Sequence, residues 1–308
     1  MQKIFIFFLT APLFISLLFG TEHNTFEKRA FNAIDTISSI TKNCLECHSS
    51  LLAKSNKHST KTERGCADCH TSNGTEHPKA GVVGFTLLKT PPDLCLSCHT
   101  EKKDLLASSA YIHGPVKDKK SCTNCHSPHS SDVKKLLIAN RKDLCLSCHS
   151  KTIKTADAKK LTNFSTLLKT SKVLHPPFED CEKVCHNPHA SQDPRLLNDP
   201  FPTNRYLAVA SDSFALCWEC HGSDMIEKPK SKGASNFRND DVNLHYTHVH
   251  GDKGRSCMVC HSPHATVNLH LIREKVSFGK WEFDMNYKAD ENGGSCAPGC
   301  HKERKYTR

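Results

Sequence analysis

Nine pairs of cysteines, each followed directly by histidine, constrain this chain more than any other feature of its sequence. Seven pairs read C-x-x-C-H and two read C-x-x-x-C-H, and together they use all 18 cysteines of the 308 residues. With 21 histidines available, chance would produce this adjacency nine times with a probability on the order of 10⁻¹¹. Neither disulfides nor structural zinc sites require it. The pairs are Cys44/Cys47, Cys66/Cys69, Cys95/Cys98, Cys122/Cys125, Cys145/Cys148, Cys181/Cys185, Cys217/Cys220, Cys257/Cys260 and Cys296/Cys300.

The pattern C-x-x-C-H is typical of covalent haem c attachment. Two thiols one helical turn apart can bond to the two vinyl groups on one porphyrin edge, and the adjacent histidine offers its imidazole to the iron. We include the two longer motifs and predict nine covalently attached haems c. The predicted proximal ligands are His48, His70, His99, His126, His149, His186, His221, His261 and His301.

The polypeptide alone has little material for a hydrophobic core. Only 37% of its residues are hydrophobic and 7% are aromatic, and nine haems leave about 32 residues each, too few to insulate them from one another. The porphyrins therefore have to pack together and form the core. We expect a haem-packed fold that is mostly coil with short α-helices and little or no β-structure, built from tandem two-haem units.

The motifs repeat along the chain. Segments 93–99 and 143–149 both read D-L-C-L-S-C-H, which is direct evidence of internal repetition. A lone motif at Cys44 precedes four doubled units. We predict an N-terminal five-haem half over residues 21–150, a linker over 151–172 and a C-terminal four-haem half over 173–308.

The first twenty residues predict export. Lys3 precedes an apolar run from Ile4 to Phe19, which has signal-peptide length and is short for a membrane span. We predict a signal peptide over residues 1–20, with an uncleaved anchor as the alternative. The protein is then expected in the periplasm, or on the outer membrane or outside the cell. An amphipathic helix is expected to follow over residues 25–43.

Chain length limits which histidine can reach the second axial position of each iron. His129 lies three residues past His126, and about 10 Å of chain cannot carry it round the porphyrin, so it has to serve a neighbouring haem or none. His113 lies nine residues before Cys122, a reach of up to about 30 Å. We expect His113 to complete the haem of Cys122, and His129 that of Cys145.

Twelve histidines outside the motifs suffice for nine distal positions, so we predict bis-histidine coordination throughout. In the fourth unit His248 is nearly as good a choice as His250. The haem of Cys44 could take His23, His245, His248 or His270, and we favour His23. The predicted distal ligands are His58, His77, His113, His129, His175, His189, His250, His264 and His23.

The formal net charge of +10 would suit a nucleic-acid or anionic-membrane partner. Nine haems, however, bring eighteen propionates, which turn the balance to about −9 without Lys3 of the signal segment. The lysines are better explained as counter-ions of propionates. We therefore expect no nucleic-acid partner and no small-molecule substrate.

The motifs resemble those of multihaem c-type cytochromes with doubled C-x-x-C-H motifs, which are related to class III cytochromes c. The resemblance covers residues 44–301 and rests on the H-x-P-H segments at 126–129, 186–189 and 261–264, together with upstream H-G-P and H-P-P. It implies electron transfer in the envelope of a respiratory bacterium. The size is similar to that of periplasmic cytochromes of porin–cytochrome conduits, and members of the wider set form extracellular filaments. The implied partners are other cytochromes, a quinol-oxidising complex, an outer-membrane porin or identical subunits in a filament.

A multihaem nitrite, hydroxylamine or tetrathionate reductase is the alternative. Such enzymes use a haem with an open sixth position, often marked by C-x-x-C-K, and this sequence has no such motif. A haem without a distal ligand stays possible at Cys44 or Cys296. We predict an electron carrier without catalytic residues.

Overall fold

The computed structural model describes residues 44–60, 65–155, 158, 160–181, 184–202, 204–209, 213–250 and 253–308. The predicted signal peptide, the predicted amphipathic helix after it and His23 lie outside these residues. In the described part of the chain, every helix is too short or too polar to cross a membrane.

Short helical turns carry most of the attachment motifs, because such a turn brings the two thiols to one side. In four motifs the N–H of the second cysteine donates to the carbonyl of the first at 3.2 Å. The α-helices with both ends in the described chain are Asp93–Leu96 (α1), Thr100–Ser108 (α2), Arg141–His149 (α3), Phe164–Thr170 (α4), Ala215–Trp218 (α5), Asp224–Glu227 (α6), Leu244–Val249 (α7) and Cys257–Cys260 (α8). The 3-10 helices are Ser49–Leu52, Gly65–Asp68, Gly114–Lys117, Ser121–Asn124, Lys134–Leu136, Pro176–Glu179, Pro194–Leu196 and Leu269–Leu271.

The expectation of little or no β-structure was wrong. Fifteen short strands form seven small antiparallel sheets within the described residues. Segments that lead to and from the motifs run side by side, and pairing satisfies backbone groups that would otherwise lack partners. The strands are Asn56–Lys57 (β1), His70–Ser72 (β2), Phe85–Leu87 (β3), Tyr111–Ile112 (β4), Ser130–Ser131 (β5), Val173–Leu174 (β6), Ala190–Ser191 (β7), Arg238–Asn239 (β8), Val242–Asn243 (β9), Ala265–Thr266 (β10), Lys275–Phe278 (β11), Trp281–Asp284 (β12), Lys288–Asp290 (β13), Gly293–Cys296 (β14) and Arg304–Thr307 (β15).

Three of the two-stranded sheets join successive units. In each, the strand before the upstream histidine of one unit pairs with the strand after the H-x-P-H segment of the next: β1 with β5, β4 with β7, and β6 with β10. The backbone N–H of the upstream histidine donates to the carbonyl of the H-x-P-H histidine, at 2.8 Å from His58 to His129. Pairing of β4 with β7 also joins the two predicted halves, whose boundary stays a prediction.

The three H-x-P-H units share a tight left-handed turn. Two consecutive residues have positive φ, for example 60° at Lys135 and 56° at Leu136. The chain then returns antiparallel to the motif histidine, as Leu137 does beside His126. The equivalent residues are Arg195 and Leu196 in the third unit, and His270 and Leu271 in the fourth.

Among the described residues, one small cluster of buried apolar side chains packs against the cysteines of two motifs, Cys217 and Cys257. Phe214, Ile226 and Val249 are buried together. Asn243 lies against the helices of this cluster and is 1% exposed. Its amide donates to the carbonyls of Met225 and Lys228 at 2.9 Å each. Its side-chain oxygen caps α7.

Replacing Asn243 with alanine should lower the free energy of unfolding by about 1–3 kcal/mol, because two carbonyls lose the donor supplied by a buried side chain and α7 loses its cap. Asn140→Ala is the matched control: Asn140 caps α3 from an exposed position, and its loss should cost at most about 1 kcal/mol. Denaturant unfolding of the haem-loaded proteins measures both. Equal losses would contradict the role assigned to Asn243.

Candidate haem sites

Each of the nine motif histidines faces one other histidine across a gap of nearly constant width. The ring centres are separated by 6.1 to 6.5 Å. In seven pairs the ring planes lie within 22° of parallel, and in two they are tilted by about 50°. The pairs, motif histidine first, are His48–His77, His70–His129, His99–His58, His126–His189, His149–His113, His186–His264, His221–His175, His261–His245 and His301–His248.

This gap fits one metal ion between two imidazoles. A metal–nitrogen bond of about 2 Å on each side, with about 1.1 Å from nitrogen to ring centre, separates two opposed rings by about 6.2 Å. Direct ring stacking would bring the planes much closer. The residues present therefore fit a bis-histidine haem at every motif.

The histidine pairs differ from those expected from the chain. His113 faces His149, the second motif of its own unit, and does not face His126. His129 faces a histidine of another motif, as the short chain between it and His126 requires. That histidine is His70 of the preceding unit, and not His149 of the Cys145 motif.

A folded connection explains why His113 does not reach the far side of the Cys122 site. The segment between them forms two 3-10 turns. Asn124 donates to the carbonyl of Pro115 at 2.9 Å, and the Ser121 hydroxyl donates to that of Val116 at 2.7 Å. The reach of nine extended residues is an upper bound, and a segment folded into two compact turns spans a much shorter distance.

One rule describes four of the nine pairs: the histidine after the first motif of a unit faces the first motif of the preceding unit, or the lone motif in the case of the first unit. His129, His189 and His264 face the first motifs of the preceding units. His77 likewise faces His48 of the lone motif, the position for which we had favoured His23. Each doubled unit thus supplies one histidine to the first motif of the unit before it or, in the case of the first unit, to the lone motif.

In the fourth unit both motif histidines are paired with histidines of α7. His245 and His248, one turn apart on α7, face His261 and His301. We had chosen His250 from the sequence, but it lies just past the end of α7, stacks on Tyr246 and donates from Nε2 to the carbonyl of Ile226 at 2.6 Å. Asn243 is the feature of the sequence that indicates where α7 begins, and a helix that begins there carries His245 and His248 on the same turn.

Hydrogen bonds from Nδ1 orient several of these rings. In the three left-handed turns, the motif histidine donates to the carbonyl of the first turn residue, as His126 does to Lys135 at 2.8 Å. Two distal rings donate to prolines of the next unit's H-x-P-H segment, as His113 does to Pro188 at 2.9 Å. Such a bond fixes the tautomer and leaves Nε2 free for the metal.

Burial also sets the protonation state of the rings. Burial, with a smaller contribution from neighbouring histidines, lowers the pKa of His245 and of His264 to about 4. It likewise lowers the pKa of His186 and His261. These imidazoles are neutral at physiological pH, which is the form that binds a metal.

A single cavity of about 4610 Å³ connects the sites. All eighteen paired histidines and seventeen of the eighteen cysteines line it. A typical small-molecule pocket has about 300–1,000 Å³. The volume therefore suits a row of large cofactors better than one substrate.

Contacts between cysteines show that the motifs follow one another in space as they do in sequence. Four thiol–thiol contacts link odd-numbered motifs to the next: Cys44 with Cys66, Cys95 with Cys122, Cys145 with Cys181, and Cys217 with Cys257. Electrostatic coupling links the even-numbered motifs onward: Cys69 with Cys98, Cys125 with Cys148, Cys185 with Cys217, and Cys260 with Cys296. The nine sites thus form one row.

The longer motif at Cys181 is closed by the same backbone hydrogen bond as the shorter motifs. In the shorter motifs the histidine N–H donates to the carbonyl of the first cysteine, for example from His126 to Cys122 at 3.0 Å. His186 makes the same bond to Cys181 at 3.2 Å, with one more residue in the loop. The last motif differs, since Cys296 ends strand β14.

Comparisons with known proteins agree with this geometry. The model of the family described as "Doubled CXXCH motif" matches residues 58–104, 113–154 and 175–226. A 151-residue stretch is 24% identical to the cytochrome c-type protein NrfH of Wolinella succinogenes, and it covers 49% of this chain and 77% of that protein.

The pairing of His129 with His70 can be tested by removing one ligand. His129→Ala should leave about one-ninth of the haem five-coordinate and high-spin, visible by electron paramagnetic resonance. This signal should vanish when Cys66 and Cys69 are also replaced by alanine. It should persist when Cys145 and Cys148 are replaced instead. The opposite result would restore the pairing expected from the sequence.

Proposed function

Since this chain is a multihaem c-type cytochrome with doubled CXXCH motifs, as its resemblance predicted, we propose that it is a nine-haem electron carrier of the cell envelope. The covalent attachment residues are the nine cysteine pairs. The axial ligands are the nine histidine pairs, including His245 and His248 in place of His250 and His23. Bound haem supplies the redox chemistry by taking up and releasing one electron at iron.

The observation that carries the proposal is that every motif histidine has a partner at metal-bridging distance. A bis-histidine iron has no open position for a substrate. The sites of Cys44 and Cys296, where a missing ligand was possible, are paired through His77 and His248. This supports a carrier over a nitrite, hydroxylamine or tetrathionate reductase.

The polypeptide's contribution is placement. The attachment cysteines of successive motifs lie close together, so they place neighbouring haems near each other, which favours electron transfer between them without a separate mediator. Carbonyl acceptors such as that of Lys135 hold the imidazoles in one tautomer and make them stronger ligands.

The partners of such a carrier are redox proteins at the two ends of the row. Candidates are other cytochromes, a quinol-oxidising complex and an outer-membrane porin that encloses the carrier. The chain is proposed to act outside the cytoplasm, most simply in the periplasm. All nine histidine pairs form within one chain, so a filament in which subunits exchange ligands is not required.

Mass spectrometry of the exported protein should give nine haem increments, and optical spectra should show only low-spin haem. Neither carbon monoxide nor nitrite should change the spectrum, because no iron has an exchangeable ligand. A His248→Ala variant is the positive control, since it should bind carbon monoxide at about one of nine haems. A high-spin component in the natural protein would favour the reductase instead.

A further inference from the structure

Charges along the haem cavity are distributed unevenly between its two ends. Three described carboxylates line it, all before residue 120, where three lysines balance them: Asp68, Glu101 and Asp118 against Lys57, Lys102 and Lys117. From residue 121 onward the described charged residues lining the cavity are all cationic: Lys135, Arg141, Lys151, Lys154, Lys160, Arg195, Arg255, Arg273, Arg304 and Arg308.

At the C-terminal end, arginines lie beside the axial ligands themselves. The charges of Arg255 and Arg304 act on the ring of His248. Arg304 is also the strand partner of Cys296 in the last motif. Arg273 acts on His261 of the preceding motif.

Arg273 is held rigidly in this place. Its Nε donates to the carbonyl of His261 at 2.8 Å. With Arg195 it also acts on the ring of His264, which faces His186. Guanidinium groups stay charged when partly buried, so these positive charges are permanent features of the sixth, eighth and ninth sites.

At the N-terminal end, the charges next to the attachment residues are carboxylates, whereas Asp180, which precedes Cys181 of the sixth motif, is paired with Arg141 at 2.7 Å. Asp68 lies inside the second motif and acts electrostatically on Cys69.

Asp118 acts electrostatically on Cys125 of the fourth motif. Its carboxylate is held in place by three donors, the backbone N–H groups of Lys120 and Ser121 and the side-chain amide of Asn124.

These charges act directly on redox potential. Oxidation adds one positive charge at iron, so a nearby cation disfavours the oxidised form and raises the reduction potential, whereas a carboxylate lowers it. Cations also neutralise the two propionates of each haem. The cations that line the last six sites, of which Arg141 is paired with Asp180, can do so more fully than the balanced set over the first three.

On the basis of the function proposed above, we propose that the row is electrically polar, with reduction potentials that rise from the Cys44/Cys47 end to the Cys296/Cys300 end. A one-electron donor protein is then oxidised at the N-terminal end. A one-electron acceptor is reduced at the C-terminal end, and each electron given up by the donor appears on the acceptor.

Potentiometric titration of the haem-loaded protein, followed by visible absorbance, tests the polarity. Replacing Cys44 and Cys47 with alanine should remove about one-ninth of the haem from the low-potential end of the curve. Replacing Cys296 and Cys300 should remove the same amount from the high-potential end. The reverse assignment, or losses spread evenly over both curves, would overturn the polarity. A natural protein with fewer than nine haems would instead contradict the proposed function.

Charge variants test the cause without deleting a haem. Arg304→Gln should shift the high-potential end downward, while Arg304→Lys should leave it in place. Asp68→Asn should shift the low-potential end upward. Lys280→Gln, which removes an exposed cation outside the cavity at the same end of the chain, is the matched control and should change little. Equal shifts for Arg304→Gln and Lys280→Gln would overturn the assignment of the gradient to the cavity arginines.

Discussion

The rest of this structure depends on holding two imidazoles opposite each other at a metal-bridging distance, nine times in the described chain. The gap between the rings varies by only 0.4 Å among the nine pairs, from 6.1 to 6.5 Å. Both rings of a pair come from backbone that is fixed locally, by a helical turn at the motif and by strand pairing at many partners. Few apolar side chains are buried against each other. The polypeptide therefore depends on its cofactors for a core, and ligand geometry dictates its path.

Placing the histidine that faces the first motif of a unit in the next unit makes the array directional. If the histidines of a unit ligated only the haems of that unit, its removal would leave no other site without a ligand. Here the H-x-P-H segment completes the previous site, and its strand pairs with the previous unit's upstream strand. Interfaces between successive repeats then carry stability in the manner of a linear repeat protein. The sites follow one another in the order of the motifs, because successive units are joined by strand pairing and by paired histidines.

The local chemistry could be predicted from the sequence, whereas the pairing could not. Attachment cysteines and motif histidines follow from spacing within one helical turn, and the reach of His129 excluded its own site. Which neighbour it serves depends on the pairing of β1 with β5, residues more than 70 positions apart. Two-residue strands carry no period that a sequence can show, and this is also why the sheets were missed. His250 was favoured over His245 because the end of α7 at Val249 was not foreseen.

The fourth unit obeys a different rule for its distal ligands. By the pattern of the earlier units, the Cys257 site would take its distal ligand from a following unit. Instead α7 supplies His245 from upstream, and His248 on the same helix faces His301 of the last motif. Strands β13, β14 and β15 form the largest sheet of the described chain around Cys296. This sheet also carries Arg304 as the strand partner of Cys296, so the segment that holds the last attachment site also places a cation beside it.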